Sequence, residues 1–176
     1  MSTFTVRRLQ AVDERTLAGL VEVLVDCVEG GASVSFMWPM TRAKAETFWR
    51  AVADGLARGD RALVVAQDAS GGIIGTAQAI WAPQENQAHR ADVAKMLVHR
   101  RARRLGVGAA VLAAVEQAAR EAGRTLLVLD TASAEAERLY ERTGWRRVGA
   151  VPRYALMPDG PSCSTVIFYK DLAAIA

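Results

Sequence analysis

Three observations predict an α+β fold, with a mixed, mostly antiparallel sheet of about seven strands flanked by four helices. First, the elements read from periodicity run strand, two helices, three strands, helix, strand, helix, two strands. Second, Leu126, Leu127, Val128 and Leu129 form a near-continuous apolar run, as a central strand buried on both faces requires. Third, residues 91–119 read as a strand, a turn crowded with arginine and glycine, and a helix. The 176 residues, 51% hydrophobic and 23% charged, suit a single domain spanning 1–176 with a full core.

Residues 4–9 read as the first strand. Asp13 is placed to cap a helix whose apolar stripe is Leu17, Leu20, Val21, Leu24, Val25 and Val28. That helix stops at Gly30-Gly31. The loop 30–40 combines paired glycines, small hydroxyls and large apolar side chains. It reads either as a surface loop whose Phe36 and Trp38 tuck into the core or as one wall of a substrate pocket. Thr41 caps a second helix through Arg58, with Phe48, Trp49, Val52 and Leu56 on one face and Gly59 as its stop. Strands follow at 61–67 and 73–81, joined by the hairpin turn 68–72. A polar loop, 83–90, leads to the strand 92–99.

A helix begins at Val107, carries Val111, Leu112, Val115 and Ala119 at helical spacing, and ends near Gly123. Past the apolar run, Asp130 and Thr131 sit at a strand's C-terminal end, where open α/β sheets bind ligands. Ser133 caps a short helix through Thr143, and Gly144 ends it. Residues 145–151 and 165–172 read as the last strands, joined by a turn-rich connection, 152–164.

The turn Arg103, Arg104, Leu105, Gly106, Val107, Gly108 and Ala109 is suited to an anion. A glycine turn that opens a helix aims several backbone N–H groups at one spot, where the helix dipole also favours negative charge. A side chain in place of the glycines would hold a phosphate away from those amides. The turn lacks the Gly-Lys-Ser/Thr ending of a nucleoside-triphosphate loop and is not GxGxxG. A net charge of +3 fits an anionic cofactor as well as nucleic acid. The densest basic run, 99–104, has no interleaved aromatics for base stacking, so a phosphorylated small molecule is the expected ligand.

Cys27 and Cys163 have neither metal-ligand spacing nor the number for a disulfide framework, and Cys27 reads as a packed, inert thiol. His89 reads as solvated, and His99 lies at the cradle's edge. No metal is expected. No apolar run approaches the length of a membrane span and no signal-peptide core is present, so the expectation is a cytoplasmic protein.

The turn resembles the acyl-CoA signature of the GNAT acetyltransferase superfamily, (Gln/Arg)-x-x-Gly-x-(Gly/Ala), through Arg103, Gly106 and Gly108. A second segment, Ala136-Glu137-Arg138-Leu139-Tyr140-Glu141-Arg142-Thr143-Gly144-Trp145, is similar to the family's A-x-x-L-Y-x-x-x-G-F, with Trp for Phe. The resemblance covers essentially the whole chain and implies acetyl-CoA as donor. Tyr140 then matches the tyrosine beside the CoA sulfur. Ser133 stands where many members carry an asparagine that contacts the cofactor, with shorter reach. Residues 30–34, 86–96, 129–131 and 158–160 together resemble the tabtoxin-resistance acetyltransferases, which acetylate the amine of a β-lactam amino-acid toxin.

The resemblance implies a role for each of these residues. Arg103 to Ala109 would anchor the pyrophosphate, and Met96, Leu97 and Val98 would lie along the pantetheine arm. The strand that holds them would splay from its neighbour after Asp130, and the N–H of Leu97 or Val98 would polarise the thioester carbonyl. An alkyl ammonium must lose a proton before it attacks. Asp92 and Asp130 are the candidates for base and for ammonium binding, in either division; Asp92 is otherwise a partner for Arg90 or Lys95, and Asp130 a helix cap. Tyr140 would donate to the departing thiolate. Gly31, Ala32, Ser33, Val34 and Phe36, with Asp92 and Asp130, would receive the acceptor, expected to be a small-molecule amine. Peptide acetylation, which would need an open groove, and a non-catalytic acyl-CoA sensor are the alternatives. The apolar residues near Trp145 and in the last strands are read either as a homodimer contact or as core.

Overall fold

A computed structural model describes residues 4–173. One seven-stranded sheet runs through it in the order β1-β2-β3-β4-β5-β7-β6. The strands are β1 (Phe4–Arg8), β2 (Arg61–Asp68), β3 (Ile73–Trp81), β4 (Arg90–Val98), β5 (Leu126–Thr131), β6 (Arg146–Leu156) and β7 (Ser162–Asp171). The helices are α1 (Glu14–Glu29), α2 (Arg42–Arg58), α3 (Val107–Glu121) and α4 (Ala134–Arg142). All neighbouring strands are antiparallel except β4 and β5, which run parallel.

Local chemistry starts and stops the helices as the sequence predicts. The Asp13 carboxylate accepts from the Thr16 N–H at 2.7 Å, Thr41 Oγ1 from the Lys44 N–H at 3.2 Å, and Ser133 Oγ from the Ala136 N–H at 3.3 Å. Gly59, with φ of 78°, closes α2 in the left-handed conformation that glycine adopts without steric cost.

Strand alternation divides the core in two. Val64 and Ala66 face α3 with Val111, Leu112 and Val115, while Leu63 and Val65 face α1 and α2 with Leu20, Leu24 and Trp49. β4 breaks this rule. Val93 packs on the α3 side, yet Leu97, four residues on, belongs to the α1/α2 side. A register shift against β3, between Thr76 and Gln78, inserts the odd residue that turns the strand over, and Lys95 carries the strain with φ of 49°.

The last two strands are longer than the sequence predicts. The connection is not 152–164; β6 continues to Leu156 and β7 starts at Ser162. Pro152 is tolerated because β6 is the sheet's edge and its register shifts between Val151 and Ala155, where Arg153 takes φ of 52°. Trp145 is core, not a dimer contact: it is buried, and its indole N–H donates to Glu116 at 2.8 Å. Val148, Val151, Tyr154 and Leu156 stay exposed on β6.

Candidate functional site

The sheet is split in its middle. β4 and β5 pair only at Arg90 with Leu126, Ala91 with Leu127 and Asp92 with Val128, while β5 stays paired with β7 as far as Thr131. The strands therefore diverge before Asp130, earlier than the sequence predicts, rather than after it. A cavity of about 840 Å³ fills the gap. The His99 N–H donates to the Ile74 carbonyl on β3 at 2.9 Å. Strand alternation turns the Leu97 N–H towards β3 as well and the Val98 N–H the other way, into the gap.

One end of the cavity is built of main chain. Asp26 on α1 accepts from the backbone N–H of Arg100 at 2.8 Å and from its side chain at 2.9 Å, and buried Ala102 and Val107 bracket the turn. Arg104, with φ of 63°, and Gly106, with φ of 84°, swing the chain into α3. No side chain caps that helix, so its first N–H groups face the cavity without an internal partner. Gly75 on β3 lets the helix start seat against the sheet: a Cβ there would lie 2.6 Å from Val107 Cγ1. Arg103, Arg104, Gly106, Val107, Gly108 and Ala109 all line the cavity. Leu105 does not; it is exposed on the outside of the turn.

Side chains build the opposite end. Gly31, Ala32, Ser33, Val34 and Phe36 line it as one wall, so the loop does not simply tuck into the core. Ser33 Oγ donates to the Leu156 carbonyl at 3.2 Å, and the Trp38 N–H to Pro158 at 3.0 Å, which ties the loop to the β6–β7 end. Phe36 stands edge-on to Phe48, with centroids 5.3 Å apart, and half-exposed Trp38 is held by its indole N–H on the Val28 carbonyl.

Tyr140 is buried where the two ends meet, its ring packed against Trp145 and Phe168. Its hydroxyl points at Met96 Sδ, 3.7 Å away. Burial, and next the nearby Asp130 charge, push this phenol well above its ordinary value, so it stays protonated. Asp130 lines the cavity and accepts from the Thr165 hydroxyl at 2.7 Å, leaving lone pairs for a ligand; it caps no helix, since Ser133 caps α4.

Asp92 is not brought to the site. It does not line the cavity, and its carboxylate is engaged by Arg90. Ser133 does line it; its hydroxyl accepts from the Ala136 N–H at the helix cap and keeps its own proton to donate. Met96, Leu97 and Val98 line it as predicted. Cys27 also lines it; burial raises its thiol to about 11 and it donates to the Val98 carbonyl at 3.5 Å, so it is a packed, unreactive thiol. His99 accepts from the Arg101 N–H and helps shape the turn rather than facing a ligand. His89 is exposed. The described residues contain no group of three or more acidic, histidine or cysteine side chains able to hold a metal. No helix among them is long and apolar enough to cross a membrane.

Sequence reasoning missed Lys95, which it weighed only as a partner for Asp92, and Leu156, Cys163 and Thr165 from the last two strands. Only Lys95 falls in one of the quoted segments, 86–96, and that segment assigns it no role. Lys95 reaches the cavity because of the β4 bulge, which pairing with a distant strand creates.

The model of the acetyltransferase (GNAT) domain matches residues 58–147, half of the chain, and the chain belongs to that family. Solved structures agree on the fold. A ribosomal-protein-alanine N-acetyltransferase from Brucella melitensis is 22% identical, with TM-score 0.79 over 96% of this chain and 99% of that one. A GNAT-superfamily phosphinothricin acetyltransferase from Sinorhizobium meliloti, solved with acetyl-CoA, is 20% identical, with TM-score 0.80 over 97% of this chain and 89% of that one. An N-acetyltransferase from Staphylococcus aureus is 17% identical, with TM-score 0.79 over 96% and 98%.

Proposed function

We propose that the chain transfers acetyl from acetyl-CoA directly to the primary amine of a small molecule, with donor and acceptor bound together. The observation that carries this reading is the split between β4 and β5, with an uncapped helix start at one end, the loop wall at the other, and Asp130 and Tyr140 where the two meet. Arg103, Arg104 and the N–H groups of Val107, Gly108 and Ala109 would hold the pyrophosphate. The pantetheine arm would hydrogen-bond along the unpaired edge of β4, as an added strand does. The donor supplies an activated thioester; the rest falls to this chain's own residues.

Asp130 accepts a proton from the acceptor's ammonium, directly or through water. The amine lone pair forms the new N–C bond and the carbonyl electrons move onto oxygen, where the Val98 N–H meets the charge. Collapse re-forms the carbonyl and breaks the C–S bond. Tyr140 gives its proton to the departing thiolate, and the proton still held by the new amide nitrogen passes through water back to the tyrosinate, so amide, thiol and phenol are all neutral at the end. Burial weakens Tyr140 as an acid, but the same desolvation makes the thiolate a stronger base, so the proton transfer between them is not penalised on one side only. Asp92 drops out as base in this scheme, because its carboxylate is paired with Arg90 and does not line the cavity. The loop ties at Ser33 and Trp38 favour a compact acceptor over a peptide laid in a groove. A β-lactam amino acid of the tabtoxin type is the particular acceptor that the sequence segments favour.

The test is free-thiol release from acetyl-CoA across β-lactam amino acids, plain amino acids, polyamines, aminoglycosides and short peptides. Turnover on small amines supports the reading, and turnover confined to the β-lactam amino acid narrows it. Turnover on peptides alone overturns it. Acetyl-CoA binding with no turnover on any class returns the sensor alternative.

A further inference from the structure

Lys95 is the feature of the cavity that the chemistry above leaves unused. It lies on β4, one residue from Met96, yet faces the opposite way. Met96 and Val98 pack on the α3 side, towards the donor end, whereas the Lys95 ammonium sits 5.8 Å from the Phe36 ring centroid and 5.5 Å from that of Phe48. Among the described residues its ammonium hydrogen-bonds Ser35 Oγ, at 3.1 Å, on the same loop. The ammonium is thus held by two aromatic faces and a hydroxyl, a grip that fixes its position without neutralising it. No carboxylate among the described residues forms an ion pair with it, although Asp130 is near enough for its charge to be felt.

Two costs mark the position as one shaped for a ligand. Lys95 holds φ of 49°, where a long side chain gains nothing from the backbone, and Ser35 opposite holds φ of 75°. Burial also opposes its charge and pulls its pKa below the ordinary lysine value. A strained, desolvated, unpaired cation in a cavity is completed by an anion.

We infer that Lys95 is a specificity-determining residue that binds a carboxylate on the acceptor, so that the acceptor class is amino acids rather than simple amines. This rests on the acetyl-transfer reading above and adds the second half of its acceptor. Asp130 and Lys95 share the cavity without meeting, which suits a zwitterion: the amine lies at Asp130 beside the reacting carbonyl, and the carboxylate lies at Lys95 under the loop wall. A polyamine, by contrast, would bring a second positive charge to Lys95 and be repelled.

The experiment has a binding arm and a turnover arm, with three proteins: wild type, Lys95→Met and Lys95→Arg. In the first, N-acetyl amino acids and their carboxamides, the corresponding products, are titrated calorimetrically into each protein saturated with CoA. Wild type should bind the acids at least roughly tenfold tighter than the amides, Lys95→Met should lose that preference, and Lys95→Arg should retain most of it. In the second, KM for amino acids should rise roughly tenfold or more in Lys95→Met, with KM for amino-acid amides and for acetyl-CoA unchanged. Equal binding of acids and amides by wild type overturns the inference, and so does an equal loss for both in Lys95→Met. Transfer to amines with no preference for a carboxylate sinks this inference alone. Absence of transfer to any amine, with the acid preference intact in the binding arm, sinks the acetyl-transfer reading and leaves the carboxylate site standing.

Discussion

The two ends of the cavity are made of different material. At the turn before α3 the work falls to main chain: unpaired N–H groups of the helix start, a left-handed glycine, and a helix seated close to β3 because Gly75 has no side chain. At the loop 30–37 it falls to side chains: Ser33 on Leu156, Phe36 on Phe48, Lys95 on Ser35. A backbone cradle suits a group common to every reaction of its class, in the proposed reaction a pyrophosphate, and needs only small residues at a few positions. A side-chain wall can be rebuilt without disturbing the sheet, so under the proposed function it is where acceptor choice would reside. The division predicts that substitutions at the turn change affinity for the donor, those at the loop change the choice of acceptor, and those where the ends meet change the rate.

The largest effect is expected where the ends meet. Asp130→Asn keeps the hydrogen bond from Thr165 but removes the proton acceptor, and kcat should fall by about 10²-fold or more, with KM for acetyl-CoA little changed. Asp92→Asn should leave kcat within a few-fold, because Asp92 does not line the cavity. A loss at Asp92 equal to that at Asp130 would show that the ion pair with Arg90 opens during turnover.

Tyr140→Phe is expected to lower kcat by roughly 10²-fold while preserving the fold, since the ring still packs on Trp145 and Phe168. The sign of its pH dependence follows from burial. The neutral phenol is favoured, so the hydroxyl stays protonated above the ordinary value of 10.0. The kcat profile of wild type should therefore show no alkaline fall from this group as pH rises to about 10.

At the turn, Gly106→Val places a β-branched residue at φ of 84°. Strain of about 1–3 kcal/mol should appear as a roughly ten-fold rise in KM for acetyl-CoA, with acceptor preference unchanged. A shift in acceptor preference would break the division between the ends. The smallest effect is expected at Cys27. With its thiol raised to about 11, its reactive thiolate is scarce at neutral pH, and iodoacetamide should label half-buried Cys163 well before it.

The donor end was legible in the sequence because main-chain function leaves a mark in composition. Gly106 and Gly108 stand in the turn itself, and the caps at Asp13, Thr41 and Ser133 each act within three residues of their own position. The acceptor end was only partly legible. Phe36 and Asp130 were visible from the loop's unusual make-up and from a strand end. Lys95 was not, since which way it faces depends on one extra residue in the pairing of β4 with β3. The length of β6 escaped for a related reason. Pro152 signals a turn locally, but an edge strand with a bulge accommodates it, and only the assembled sheet reveals which strand is the edge. Asp92 was misplaced by the same limit: its neighbour Arg90 was in view, but the cavity's floor was not.

In the proposed reaction one cavity holds donor and acceptor together, and no residue of the chain carries the acetyl group between them. Initial rates measured over a grid of acetyl-CoA and acceptor concentrations, with the protein's mass taken after incubation with acetyl-CoA alone, test it most directly. The reciprocal plots should intersect and the protein's mass should be unchanged. Parallel plots together with an added acetyl group, on Cys27, Cys163 or any other side chain lining the gap, would contradict it.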